Sequence, residues 1–181
     1  MYSNKLAIFM ALFIAASTFS HLNAAEKKSK LDRYYPLVID EYTRRGIEKN
    51  KNQKTLSASY QKIDSGYANY ASISVFPAKV GFEDLLRMDK EIFLSTFFGS
   101  KLKSSRKYSF KQKNNIYAGV KFVYVVPADS LGAPQDVYMA TYFWYFKNKY
   151  YKFQINCLYE DRLQLHKTAL VFLDAMQWRK S

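Results

Sequence analysis

Hydrophobic and polar residues alternate over several stretches of this chain, and a period of two predicts β-strands. Residues 55–63 and 67–76 alternate in this way on either side of Asp64-Ser65-Gly66. This three-residue loop suits a hairpin because its glycine can adopt a left-handed conformation. Pro77 and Gly81 then end the second strand. The pattern therefore predicts a β-hairpin over residues 55–76.

Other stretches show the period of an amphipathic helix. Residues 82–98 place six apolar residues on one stripe, and Gly99 follows as a C-terminal cap. These are Phe82, Leu85, Leu86, Ile92, Phe93 and Phe97. Residues 161–178 predict a closing helix with Asp161 as its N-cap and Leu170 on its buried stripe. Residues 36–45 predict a short helix that stops at Gly46.

A second hairpin is predicted from residues 106–112 and 116–126. A three-residue loop, Lys113-Asn114-Asn115, keeps the apolar faces together and sets Phe110 opposite Ala118. The other face of the first strand carries serines and lysines. Such a face suits an outer strand that cations protect against edge pairing.

A third hairpin is predicted from residues 137–146 and 150–159. A tight Asn148-Lys149 turn gives one continuous apolar face and sets Ala140 opposite Cys157. Residues 120–126 and the first strand of this hairpin are apolar on both faces. These two segments therefore predict central strands that are covered on both sides.

The order of elements predicts an α+β fold, in which helices flank a mostly antiparallel sheet of about six strands. The expected order is α-β-β-α-β-β-β-β-α, an α/β/α sandwich. Three segments accompany the two long hairpins in this arrangement: Ile73-Ser74-Val75-Phe76-Pro77, Phe82-Glu83-Asp84-Leu85-Leu86 and Phe172-Leu173-Asp174-Ala175-Met176-Gln177-Trp178. With these segments and hairpins, the chain resembles the PsbP-like family. The resemblance implies the sandwich fold and the export known for some bacterial members, but no catalytic residue.

Residues 1–24 are predicted to be a secretory signal peptide. One cation, Lys5, precedes a charge-free apolar run over residues 6–19, which is shorter than the ~20 residues that span a bilayer. Ala24 and Ala25 provide small residues for cleavage, and an uncleaved anchor is the alternative. We expect a periplasmic or secreted protein, with a basic segment at residues 25–54 and a single α+β domain at residues 55–181.

The net charge of the chain predicts the kind of partner that it binds. The chain has 28 Lys and Arg against 15 Asp and Glu, a net charge of +13. In an exported protein this surplus points to anionic partners such as lipid headgroups, acidic glycans or a membrane surface, or to an envelope protein. The candidate anion-binding residues lie in one acid-free stretch: Lys101, Lys103, Lys107, Lys111 and Lys113. Interleaved Tyr108 and Phe110 would also suit single-stranded nucleic acid, but export argues against that partner.

Catalytic chemistry finds little support in the composition. Once the signal is removed, Cys157 and His166 are the sole Cys and His, too few for a His/Cys zinc site or for an intramolecular disulfide. Cys157 alternates with core residues, so it is expected to be a buried, inert thiol and not a nucleophile activated by His166. Neighbouring acids such as Glu83 and Asp84 are explained as helix ends and solvated faces. No catalytic residue, metal or cofactor is predicted.

Two function classes remain. The first is a non-enzymatic binding or assembly protein of the cell envelope, which contacts an anionic or amphiphilic partner through its basic strand edge. The second is an envelope hydrolase that uses carboxylates on an unidentified substrate, supported by the excess of Tyr around the last two strands. The basic edge also has a simpler explanation, because its lysines protect the sheet against association.

Overall fold

An antiparallel sheet of eight strands is the framework of the described chain. The computed structural model describes residues 34–52, 54–62, 69–112 and 114–176. The strands are β1 (Val38–Ile39), β2 (Tyr42–Asn50), β3 (Thr55–Lys62), β4 (Tyr70–Pro77), β5 (Lys101–Gln112), β6 (Asn115–Val126), β7 (Val137–Phe146) and β8 (Lys149–Leu158). The helices are α1 (Phe82–Thr96), α2 (Ala128–Leu131) and α3 (Arg162–Ala175), with a 3-10 turn at Tyr159–Asp161. The predicted signal peptide, the Asp64-Ser65-Gly66 loop and Lys113 lie outside the described residues.

The strands lie in the order β1-β2-β3-β4-β8-β7-β6-β5, and every neighbouring pair is antiparallel. The predicted α+β class, with helices flanking an antiparallel sheet, is therefore confirmed. The sheet has eight strands and not about six. β5 is an outer strand, as its lysines predicted, and β6 and β7 are interior strands.

The additional strands replace the short helix predicted at residues 36–45, so that prediction was wrong. Ile39 and Tyr42 are 2% and 4% exposed, whereas Val38 is 58% exposed. This alternation fits a sheet, and Ile39 pairs directly with Tyr42 across the turn at Asp40. β2 then pairs with β3 along nearly its whole length. The backbone pairing that β3 offers outweighs the weak local helix preference of this segment.

Each face of the sheet is covered by one long helix. α3 buries Phe172 between the rings of Tyr42 and Tyr60, whose centroids lie 4.9 and 5.3 Å from its own. α1 buries Phe93, which stacks on Tyr124 with the ring centroids 3.9 Å apart. Leu170 of α3 was expected in the core but is 41% exposed.

Gln112 at the end of β5 ties this outer strand to α3. Its amide Nε2 donates hydrogen bonds to the carbonyl oxygens of Leu173, Asp174 and Met176 at 3.1, 2.8 and 2.5 Å. These carbonyls lie at the C-terminal end of the helix, where no helical partner is available for them. The position of α3 relative to β5 is fixed in this way.

The predicted β7–β8 hairpin forms, but its register differs by two residues from the prediction. The turn is Lys147-Asn148, and both residues have left-handed φ angles of 49° and 57°. Two such residues define the tight hairpin turn that matches strand twist. Ala140 therefore lies opposite Ile155 instead of Cys157, whose partner is Tyr138. A shift of two residues keeps the same face, so the core residues were still predicted correctly.

The β5–β6 register was also wrong, here by one residue. Gln112 pairs with Asn115, and Phe110 pairs with Tyr117 instead of Ala118. The rings of Phe110 and Tyr117 stack with centroids 4.9 Å apart, which the predicted three-residue loop would not allow. Because a one-residue shift moves a strand's side chains to the other face, Ala118 is exposed.

Candidate anion-binding surface

The outer strand β5 carries the predicted cationic residues. Lys101, Lys103, Lys107 and Lys111, here called the edge lysines, are all exposed. None of the four forms an ion pair with another described residue. Their charges therefore face solvent along the outer margin of the sheet.

A β-bulge distributes the edge lysines over two faces. Lys107 and Lys111 lie opposite Val120 and Ile116 on the face covered by α1. The register shifts between Leu102 and Ser104, so Lys103 is the extra residue of the bulge. Leu102 packs into the α1-side core, which puts its neighbour Lys101 on the α3 side.

This geometry corrects one expectation about the site. The strand was predicted to begin at residue 106, but β5 begins at Lys101 and so includes both Lys101 and Lys103. The edge lysines therefore project from both faces of the outer strand and not from a single face.

Two exposed apolar side chains lie on the same face of the sheet as Lys107 and Lys111. Ile116, opposite Lys111, is 73% exposed, and Tyr145 of β7 is 48% exposed. The Tyr145 hydroxyl donates a hydrogen bond to Asn148 Oδ1 at 2.6 Å. A surface with cations beside exposed apolar groups can contact both the headgroup and the apolar part of an amphiphile.

The aromatic residues of β5 point to the other face. Phe110 is 8% exposed and packs edge-on against Trp144 with ring centroids 5.3 Å apart. Tyr108 is half-buried beside Tyr142, at a centroid distance of 4.9 Å. These rings belong to the α3-side packing, so they do not interleave with Lys107 and Lys111 on one surface.

Cys157 and His166 occupy different environments. Cys157 is 3% exposed in the core, and burial raises its thiol pKa to about 12, with Asp161 adding to the effect and Arg162 opposing it. His166 is exposed on α3, and the pKa of its imidazole is lowered by partial burial and by Lys121 and Arg106. No hydrogen bond joins the two side chains. Cys157 is thus the buried thiol that the alternation predicted.

The acidic pairs lie on exposed surfaces. Asp84 and Glu91 of α1 flank Arg87, with N–O distances of 3.3 and 3.4 Å, and Glu41 pairs with Lys62. Among the residues that the structure describes, no group of three or more His, Cys, Asp or Glu side chains is placed to hold a metal ion. In the same ranges, no helix has the length and apolarity needed to cross a membrane.

A cavity that the sequence did not reveal opens at the β7–β8 turn. It has a volume of about 350 Å³, and its lining includes Tyr34, Tyr35, Phe76 and Tyr151. Lys54 and Lys149 contribute its cations, and its described lining includes no carboxylate. The residues come from four separate segments, so no local pattern could have indicated it.

The fold is thus an antiparallel sheet with a long helix on each face. No protein-family model matches this chain, and no curated protein is significantly similar to it. A Pseudomonas aeruginosa protein of unknown function has a similar structure, with a TM-score of 0.51 and 13% identity over 75% of this chain and 98% of that chain. At this identity the likeness shows a shared fold alone. Cyanobacterial PsbP from Synechocystis has a TM-score of 0.47 and 7% identity, covering 77% of this chain and 94% of that chain.

Proposed function

We propose that this protein is exported to the cell envelope, where it binds an anionic or amphiphilic partner without catalysing a reaction. The observation that supports this function is the line of edge lysines, which are exposed and have no ion-pair partner in the described chain. The partner class comprises anionic lipid headgroups, acidic glycans and acidic envelope proteins.

The strength of such a contact depends on the number of cations. A Lys or Arg near an anionic membrane surface contributes about 1 kcal/mol, so several together convert negligible binding into measurable binding. The contribution weakens with salt because exposed charges are screened over about 8–10 Å at physiological ionic strength. Ile116 adds apolar contact area beside Lys111, and Tyr145 is exposed on the same face of the sheet, which favours an amphiphile.

Protection of the sheet edge is the competing explanation for these lysines. An outer strand exposes unpaired backbone groups, and lysines discourage another chain from pairing with them. Edge protection requires no partner, so a binding measurement distinguishes the two roles.

The test is co-sedimentation of the protein lacking residues 1–24 with vesicles that contain phosphatidylglycerol, at low and high salt. Wild type is expected to sediment at low salt only, and the Lys107→Gln/Lys111→Gln variant is expected to stay in solution. The control is Lys49→Gln/Lys51→Gln, which removes the same charge from exposed positions at the other end of the sheet.

The control should bind as wild type does. Equal loss in both variants would mean that net charge alone drives binding, and the edge would not be the site. Absence of binding by wild type, to these vesicles and to an acidic glycan, would leave edge protection as the role of the lysines.

A further inference from the structure

Two cationic side chains and a histidine converge on the α3 side of the sheet. Arg106 of β5 pairs directly with Lys121 of β6, and Lys121 pairs with Tyr142 of β7. Directly paired residues project from the same face of a sheet, and Tyr142 belongs to the core under α3. His166 of α3 approaches the same place, since its ring lies 6.4 Å from that of Tyr108.

No carboxylate balances these charges. Arg106, Lys121 and His166 form neither an ion pair nor a hydrogen bond with any other residue described here. Partial burial and the charge of Arg106 lower the pKa of Lys121. Burial of a cation is costly unless an opposite charge or hydrogen bonds compensate it.

Two tyrosines lie beside these side chains, with Lys121 Nζ 5.1 Å from the ring centroid of Tyr142 and the ring of Tyr108 6.4 Å from that of His166. The hydroxyl groups of Tyr108 and Tyr142 are buried and have no hydrogen-bond partner within the described ranges. Burial raises the pKa of Tyr142 most, and Tyr108 and Tyr138 raise it further, whereas the guanidinium of Arg106 opposes the rise. The rings of Tyr108 and Tyr142 lie 4.9 Å apart, and both hydroxyls stay protonated as donors at neutral pH.

The donor set suits one class of ligand. A guanidinium offers a planar fork of donors, and an ammonium offers a compact charge with three more. With two hydroxyls and an imidazole, these groups can address several oxygens of one tetrahedral anion through charge-assisted hydrogen bonds. A carboxylate has two oxygens and would leave part of this donor set unused.

We propose that Arg106, Lys121 and His166, together with the hydroxyls of Tyr108 and Tyr142, form a binding site for a phosphate-type oxyanion. The site lies on the opposite face from Lys107 and Lys111 and does not depend on their proposed role.

The surroundings suggest two sources for the phosphate group. Leu163 and Leu170 flank His166 on α3 and are 79% and 41% exposed. Residues three and four positions away lie on the same side of a helix, so both leucines lie beside His166. The anion can therefore be free phosphate or the headgroup of a lipid whose apolar part contacts these leucines.

The primary test follows the imidazole of His166 by NMR during titration with inorganic phosphate. His166 is the sole histidine of the chain once residues 1–24 are removed, because the other is His21. A bound anion should raise the pKa of His166 by about one unit, because a nearby opposite charge favours the protonated imidazole. Sodium chloride at the same ionic strength should not reproduce this saturable shift.

Single substitutions test which residues bind the phosphate. Lys121→Gln and Arg106→Gln should each weaken phosphate binding about tenfold or more, as expected for loss of a charge-assisted contact. Lys107→Gln, one residue from Arg106 but on the other face, should change it less than about twofold. Arg106 is exposed, so its variant tests the site even if Lys121→Gln does not fold.

Titration with short-chain phosphatidic acid, below its critical micelle concentration, shows whether the ligand is free phosphate or a lipid headgroup. Binding about tenfold tighter than phosphate would support the site with a lipid as its ligand, and equal binding would support it with free phosphate. The proposal would be overturned if sodium chloride shifted the pKa of His166 as much as phosphate does. It would also be overturned if Lys107→Gln weakened phosphate binding as much as Arg106→Gln. Either result would mean that the net positive charge of the protein attracts the anion without a specific site.

Discussion

Asp89 and Lys152 form an ion pair inside the interface between α1 and the sheet. Their side chains are 2% and 8% exposed, and Lys152 Nζ lies 2.5 Å from Asp89 Oδ1. The ammonium also lies 5.5 Å from the ring centroid of Phe143. Asp89 falls within the stripe of residues 82–98 that was predicted to be apolar, and Lys152 lies on β8 opposite Phe143. The pair could not be predicted because its members are 63 residues apart and nothing local links them.

Removing one member of this pair should be more harmful than removing both. Lys152→Met is expected to lower the free energy of unfolding by about 3 kcal/mol, because it leaves Asp89 buried without an opposite charge. The double variant Asp89→Leu/Lys152→Met should recover most of this loss, since apolar residues of similar size fit the interface. Urea unfolding followed by Trp fluorescence measures both values. If Lys152→Met were as stable as wild type, the ion pair would not be buried as described.

The elements themselves were predicted more accurately than their pairing. A period of two determines which face of a strand is buried, so the core residues of β7 and β8 were identified correctly. It does not determine which residues pair, because a shift of two positions preserves the faces. The register of the β7–β8 pair is determined by the turn, in which Lys147 and Asn148 have left-handed φ angles. The strands β1 and β2 were missed because β2 forms by pairing with β3, which lies outside its own sequence window, and β1 in turn pairs with β2.

Gly119 is the position where the contact between β6 and β7 can be tested. A Cβ atom there would lie 1.7 Å from the backbone oxygen of Phe143, so an alanine requires the strands to move apart. Gly119→Ala is expected to lower the free energy of unfolding by more than about 2 kcal/mol. The matched control is Gly81→Ala, whose Cβ would lie 3.4 Å from Asp84 Oδ2, an ordinary contact.

The control Gly81→Ala, at the start of α1, should lower the free energy of unfolding by less than about 1 kcal/mol, because substitutions of glycine at a helix N-cap have small effects. Thermal and urea unfolding of both variants provide the comparison. Equal stability of the two variants would contradict the Gly119–Trp144 pairing.

In the whole molecule, the fold places part of the excess positive charge on two separate surfaces, the edge lysines and the site that contains Arg106 and Lys121. The exposed lysines and their outer strand could be predicted, because alternation and composition are local properties. The bulge at Lys103 could not, and neither could the approach of Arg106, Lys121 and His166. Strand pairing and helix docking bring these three residues together from positions 15 and 45 residues apart, and no sequence pattern marks that contact.

The proposed envelope function presupposes that the mature chain is exported, and cleavage of the signal peptide tests this step. Intact-mass measurement on protein from the native host should show the loss of about 24 residues. Leu12→Arg places a charge in the apolar run and should leave the full-length chain inside the cell, because the export machinery requires an uninterrupted apolar segment. A matched Lys27→Gln change lies beyond the run and should leave processing intact. A full-length mass for the wild type in the membrane pellet would contradict cleavage and indicate an anchored protein.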